Sequence, residues 1–84
     1  MAQTFTMDDL KDVLVNRIGL PERDLKMDPS ETYEDLGLDS LAFMEIQLEM
    51  EQRFGFSVSD EDAQQIKTLG ESVAYVNRRL AEQG

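Results

Sequence analysis

The stretch Asp39-Ser-Leu-Ala-Phe-Met-Glu-Ile-Gln-Leu-Glu-Met-Glu-Gln-Arg-Phe54-Gly55 reads as one helix with two apolar faces. At about 100° per residue, Phe43, Ile46, Met50 and Phe54 fall on one side at spacings of three and four. That is the pattern of a face buried in a core. Leu41, Met44 and Leu48 form a second stripe on roughly the opposite side. A chain of 84 residues has too few helices to bury both sides of one of them, so the second stripe is expected to be at least partly exposed. Glu45 and Glu51 flank it, and Ser40 stands at its N-terminal end. An apolar strip edged with carboxylates suits a docking surface. The competing expectation is that the segment from 20 to 38 folds over the strip and covers it.

That segment carries two prolines, scattered charges and a turn signal at Asp28-Pro29-Ser30, and reads as one long loop. A loop of this length in so small a chain points to a functional connection rather than a tight hairpin. Leu25, Tyr33 and Leu36 are expected to pin it to the core. Before it, a first helix is predicted from Thr6 as cap, with Asp8 and Asp9 at its positive end and Leu10, Val13, Leu14 and Ile18 at helical spacing. Gly19 and Pro21 end it. After Gly55, a short helix is predicted from Asp60 to Ile66 with Ser59 as cap. The last helix opens on Thr68-x-x-Glu71, a capping box, and carries Val73, Val76 and Leu80 on one face. No stretch alternates with period two for long enough to make a strand; Phe54-Gly-Phe-Ser-Val58 comes nearest. The expected fold is all-α, a small four-helix bundle of three main helices and one short one, over a single domain spanning 1–84.

The formal charge of −10 makes nucleic acid an improbable ligand and a basic protein surface the natural partner. It also predicts destabilisation by self-repulsion at low salt or high pH. The chain has no cysteine, which excludes disulfides and thiolate chemistry, and no histidine, which removes the commonest general base and metal ligand. No metal site and no catalytic residue are expected. No apolar run approaches the roughly 18 residues that a bilayer requires, and Met1-Ala-Gln-Thr-Phe-Thr-Met-Asp-Asp9 has neither the basic start nor the apolar core of a signal peptide. A soluble, monomeric, cytoplasmic protein is expected, with any chemistry done to it by others.

Ser40 lies in Asp35-Leu-Gly-Leu-Asp39-Ser40-Leu41. On residue chemistry alone, Ser or Asp before an apolar-periodic segment is first a helix cap. The functional reading is that a helix N-terminus favours anionic groups, so a phosphate ester on this serine would suit the site. Gly37 permits a tight turn that leaves the serine protruding. Nothing in the sequence activates Ser40 as a nucleophile by itself.

Asp-Leu-Gly-Leu-Asp-Ser-Leu resembles the phosphopantetheine attachment motif of acyl carrier proteins, and the resemblance extends over nearly the whole chain. The helix spacing, the long first loop and Asp60-Glu-Asp-Ala63 are similar to that family as well. The resemblance implies that a phosphopantetheinyl transferase attaches a 4'-phosphopantetheine arm from coenzyme A to Ser40, and that the arm's thiol carries acyl groups as thioesters. It implies that Asp39 helps engage the transferase and its magnesium. Leu41, Met44, Glu45, Leu48 and Glu51 become the surface shown to basic partner enzymes. A core lined by Phe43, Ile46, Met50 and Val73 could shelter part of the acyl chain, although ordinary packing is the simpler role.

Within the family, Ser40-Leu-Ala-Phe-Met-Glu45 and the opening Phe5-Thr-Met-Asp-Asp-Leu10 look more like free-standing carriers of bacterial type II (aromatic) polyketide synthases than fatty-acid carriers, which usually have an acidic residue in place of Ala42. Leu38 fits fatty-acid carriers too. The polyketide resemblance implies as partners a malonyl-loading acyltransferase, a ketosynthase/chain-length factor, and a ketoreductase or cyclases. Readings from other classes are a calcium-binding protein, for which no stretch has the EF-hand spacing, and an acidic adaptor in which Ser40 is only a cap.

Overall fold

The computed structural model describes residues 4–83, and among these four α-helices follow one another: α1 Met7–Val13, α2 Ser40–Phe54, α3 Asp60–Gln65 and α4 Leu69–Gln83. Local chemistry explains each start. The Thr6 hydroxyl accepts the Asp9 amide at 3.1 Å while the Asp9 carboxylate accepts the Thr6 amide at 3.0 Å, a reciprocal box. Thr68 and Glu71 repeat the device at α4, where the Glu71 carboxylate accepts the amides of both Thr68 and Lys67. Those two donors hold the Glu71 carboxyl below its ordinary pKa, the Thr68 amide more than the Lys67 amide. Ser59 caps α3 through the Asp62 amide at 3.1 Å.

The expected first helix differs at its end. Leu14–Ile18 continues α1 as a π-helical turn, closed by Gly19, whose φ of 90° is left-handed. The amides of Gly19 and Leu20 both donate to the Leu14 carbonyl at 3.0 Å. This widened turn carries Arg17, which meets Glu49 of α2 at 3.0 Å.

The long connection is less irregular than its composition suggests. It contains a 3₁₀ turn at Glu22–Asp24 and the expected turn at Asp28, whose carboxylate accepts both the amide and the hydroxyl of Ser30. It is then stitched to the start of α4: Gly70 donates to the Pro29 carbonyl and Leu69 to the Glu31 carbonyl, each at 2.9 Å, and Thr32 makes an antiparallel bridge with Thr68. The approach is close enough to dictate a residue type. A side-chain carbon on Gly70 would lie 3.0 Å from both the carbonyl oxygen and the Cβ of Pro29.

Leu10, Val13 and Leu14 of α1 and its π turn, Ile46 and Met50 of α2, and Leu69, Val76 and Leu80 of α4 make the buried core. Phe43 and Phe54, expected on the core face, are half-buried and pack against it. Of the loop residues expected to anchor, Tyr33 is buried, while Leu25 and Leu36 are partly buried against the core. The Tyr33 hydroxyl pairs with the buried Ser72 hydroxyl, and burial pushes its pKa up to about 12 against the opposing effect of that hydrogen bond. Phe5 joins the core from outside any helix. Its ring meets Phe54 edge-on at 5.6 Å, and its backbone amide and carbonyl are both satisfied by the side chain of Asn77, at 2.8 and 2.9 Å.

Candidate functional site

Three short-range features place Ser40. Gly37 takes φ 77°, ending a turn in which the amides of both Leu36 and Leu38 donate to the Tyr33 carbonyl. Leu38, half-buried, packs on the core and fixes the height of the chain as it leaves the turn. Asp39 then takes the extended backbone of an N-cap, and its carboxylate accepts the Ala42 amide at 2.9 Å. Capping is therefore the work of Asp39. Ser40, the first helical residue, is exposed and not needed for it.

The surroundings of Ser40 suit an anion. The amide of Ala42 is taken by Asp39 and that of Phe43 by the Asp39 carbonyl, while Ser40 and Leu41, at the first two helical positions, have amides without an intrahelical acceptor. They sit at the positive end of a 15-residue helix. A phosphodiester on the exposed Ser40 Oγ would lie beside these donors.

From Ser40 the strip runs along α2. Leu41 is 70% exposed, Met44 60% and Leu48 51%, so the loop from 20 to 38 does not cover them. Of the carboxylates around the strip, Glu45 is exposed and, among the described residues, has no ion-pair partner. Glu51 is different. It is half-buried, and its Oε2 accepts the Val58 amide at 2.6 Å, so it also ties α2 to the chain after Gly55. Ser40, Leu41, Met44, Glu45 and Leu48 thus share one surface, while Glu51 turns partly away from it.

Two neighbours were not singled out from the sequence. Arg17, brought in by the π turn, stands with Glu45, Leu48 and Glu49 around a shallow recess at the far end of the strip. Its ion pair with Glu49, which also binds Arg53, depends on packing between α1 and α2 and has no sequence signal. Gln47 lies seven residues after Ser40, two turns along the same side of α2, and that spacing could have drawn attention to it.

Between α2, α4 and the chain on either side of α3, where Phe56, Val58 and Ile66 contribute, lies a cavity of ≈ 20 Å³, enough for about one water. Phe43, Ile46 and Met50 line it as expected. Val73 does not; α4 turns Val76 toward the space instead, while Val73 packs half-buried against the core. Among the described residues no group of three or more acidic side chains converges as a metal site.

Comparison with known proteins agrees with this geometry. The family described as "Phosphopantetheine attachment site" matches residues 8–76. An acyl carrier protein of Chlamydia trachomatis serovar D is 38% identical over 72 residues, covering 86% of this chain and 92% of the relative. The octanoyl form of the acyl carrier protein from the actinorhodin polyketide synthase of Streptomyces coelicolor superposes with a TM-score of 0.85 at 38% identity, over 100% of both chains. The holo form of that carrier gives 0.80 at 34% identity, again over the full length of both.

Proposed function

The chain belongs to the acyl carrier protein family, whose members hold acyl groups on 4'-phosphopantetheine, and from that premise we propose that it tethers malonyl units and growing polyketide intermediates at Ser40 and presents them to the enzymes of a type II synthase. The observation that carries the reading is the division of labour at the head of α2: Asp39 caps the helix, which leaves the Ser40 hydroxyl exposed beside two amides that have no acceptor within the helix.

In the loading step the Ser40 hydroxyl attacks the phosphorus next to the pantetheine half of coenzyme A. The Oγ–P bond forms, the P–O bond of the diphosphate breaks, and adenosine 3',5'-bisphosphate leaves. The hydroxyl proton goes to a base on the transferase, since this chain has no histidine or cysteine to take it. The amides of Ser40 and Leu41 and the positive end of α2 stabilise the resulting anion. Asp39 spends one carboxylate oxygen on the Ala42 amide, which leaves the other for the transferase and its magnesium. Once attached, the arm supplies the thiol that the sequence lacks.

Docking follows from the strip. Leu41, Met44 and Leu48 offer a small apolar contact, and Glu45 with the overall charge of −10 attracts basic enzyme surfaces. Long-range attraction speeds encounter and a small contact permits release, as a carrier visiting several enzymes requires. The partners under this reading are a phosphopantetheinyl transferase, a malonyl-loading acyltransferase, a ketosynthase/chain-length factor, and a ketoreductase or cyclases. Support for the polyketide type comes from the full-length likeness to the actinorhodin carrier. A carrier of another acyl-chain synthesis is the second reading, favoured by the equal identity to the Chlamydia relative, which is named only as an acyl carrier protein.

Intact mass measurement after incubation with coenzyme A, magnesium and a promiscuous transferase tests the attachment. A gain of one phosphopantetheinyl group, absent in Ser40→Ala, is expected; no gain on a folded sample would remove the carrier role from Ser40. Reconstitution with either a type II polyketide ketosynthase or a fatty-acid condensing enzyme then separates the two pathways by which one elongates the malonyl-loaded protein.

A further inference from the structure

The side-chain Nε2 of Gln47 is buried and, among the described residues, has no hydrogen-bond partner. Gln47 is one of the residues lining the cavity between α2, α4 and the chain on either side of α3. The accessible surface of that cavity is almost entirely apolar, although Ser72 and Tyr75 also line it: Phe43, Ile46, Met50 and Val76 supply much of it. A donor buried without a partner destabilises the fold, because it gives up its hydrogen bonds to water and receives nothing in return. An apolar side chain of similar length would pack there without that loss.

The position of Gln47 relative to Ser40 suggests what could pair with it. Seven residues separate them, which places Gln47 on the same side of α2, roughly 10 Å along the axis at 1.5 Å per residue. Phe43 lies between the two and also lines the cavity. A chain anchored at Ser40 and folded back along α2 would pass Phe43 and bring its own atoms to Gln47. The present space holds about one water, so a guest enters only as neighbouring side chains move apart. Flexible Met50 in the wall allows such repacking.

We propose that Gln47 is a specificity-determining residue of the carrier: its side-chain N–H donates to a carbonyl oxygen of the tethered chain, so that keto chains are held inward in preference to saturated chains of equal length. This rests on Ser40 as the attachment site. The chemical basis is the asymmetry of buried polar groups. A carbonyl oxygen completes the donor, whereas a methylene in the same place leaves it unpaired, and sites of this kind discriminate more sharply than apolar pockets do.

The test uses two arms of equal length joined by stable thioether links, one ending in a 3-oxooctyl chain and the other in an octyl chain, each loaded from its coenzyme A analogue. Intact mass first establishes loading. NMR of the Gln47 side-chain amide and the melting temperature of each loaded form are then compared in the wild type, Gln47→Leu and Gln47→Glu. The expected result is a shift of the Gln47 amide resonances with the 3-oxooctyl chain that the octyl chain does not produce, and a larger rise in melting temperature for the keto form. Gln47→Leu should fold at least as stably when unloaded and should lose the keto advantage. Gln47→Glu, which keeps the length but offers acceptors only, should lose it also. An equal amide response to both chains, or a keto advantage that survives in Gln47→Leu, overturns the inference while leaving the carrier role intact. A mass that does not change takes away the attachment at Ser40 and this inference with it.

Discussion

At the scale of single residues, the decisive contrast is between two neighbours that the sequence alone leaves interchangeable. Asp39 and Ser40 are both good N-cap residues. The structure gives the cap to Asp39, through its 2.9 Å bond from the Ala42 amide. Ser40→Ala should therefore leave folding stability within ~0.5 kcal/mol of the wild type while abolishing loading. Asp39→Ala should lower stability by about 1 kcal/mol, the usual worth of a cap, and Asp39→Asn should restore most of that. Urea unfolding of the three variants measures this directly. A Ser40→Ala loss as large as that of Asp39→Ala would return the serine to a structural role. Asn77 shows the opposite limit of legibility. It reads as an ordinary polar position of a helix, yet its amide satisfies both backbone groups of Phe5, 72 residues away in sequence. Nothing local announces such a bond.

At the scale of elements, what was legible is what local chemistry dictates. The starts of α1, α2, α3 and α4 were readable because a short polar side chain and the amides it accepts lie within three residues of each other. The exposed stripe of α2 was readable because two apolar faces on one helix exceed what so few helices can cover. The π turn at Leu14–Ile18 was not, since the same side chains serve either backbone pattern. The stitching of the long loop to α4 was also hidden, because Gly70 sits in a helix where no turn asks for glycine. Its requirement comes from Pro29, far away in sequence. Gly70→Ala should consequently destabilise by roughly 1–3 kcal/mol, the range for forcing a methyl into a filled space, although alanine is the better helix former. A stabilised variant in thermal or urea melts would mean that the contact with Pro29 yields easily. The exposed stripe predicts the reverse pattern. Met44→Ala and Leu48→Ala remove side chains that are only about half buried, so each should cost no more than ~1 kcal/mol of stability, while affinity for a partner ketosynthase, read by titration calorimetry, should fall. Unchanged affinity in the Met44→Ala, Leu48→Ala double variant would move the docking surface elsewhere.

At the scale of the whole molecule, charge and burial act together on stability. The chain carries a net −10 within a radius of gyration of 12.1 Å. The Debye length is about 8 Å at physiological ionic strength and about 30 Å at 0.01 M, so in dilute buffer repulsion acts across the entire fold and in ordinary salt it does not. The melting temperature at neutral pH should rise when salt is raised from 0.01 M to 0.15 M; indifference to salt would mean that the ion pairs of Arg17, Arg53 and Arg79 already offset the excess. High pH adds a second effect. Burial raises the folded Tyr33 pKa to about 12 from its ordinary 10, and burial raises that of Tyr75 as well. For a group raised in the folded state, the contribution is fully present below the unfolded pKa. Above it the unfolded chain releases its proton and the folded chain does not, so stability falls between pH 10 and about 12, by up to ~1.4 kcal/mol per pH unit for one such group. Tyr33→Phe should start lower at pH 7, because the buried Ser72 hydroxyl loses its partner, and should then decline less steeply than the wild type from pH 10 upward. Urea unfolding at pH 9 and pH 11.5 in high salt, where repulsion is screened, isolates the tyrosine effect. Equal slopes for the two proteins would place the alkaline loss in general repulsion rather than in the buried hydroxyl that holds the long loop to α4.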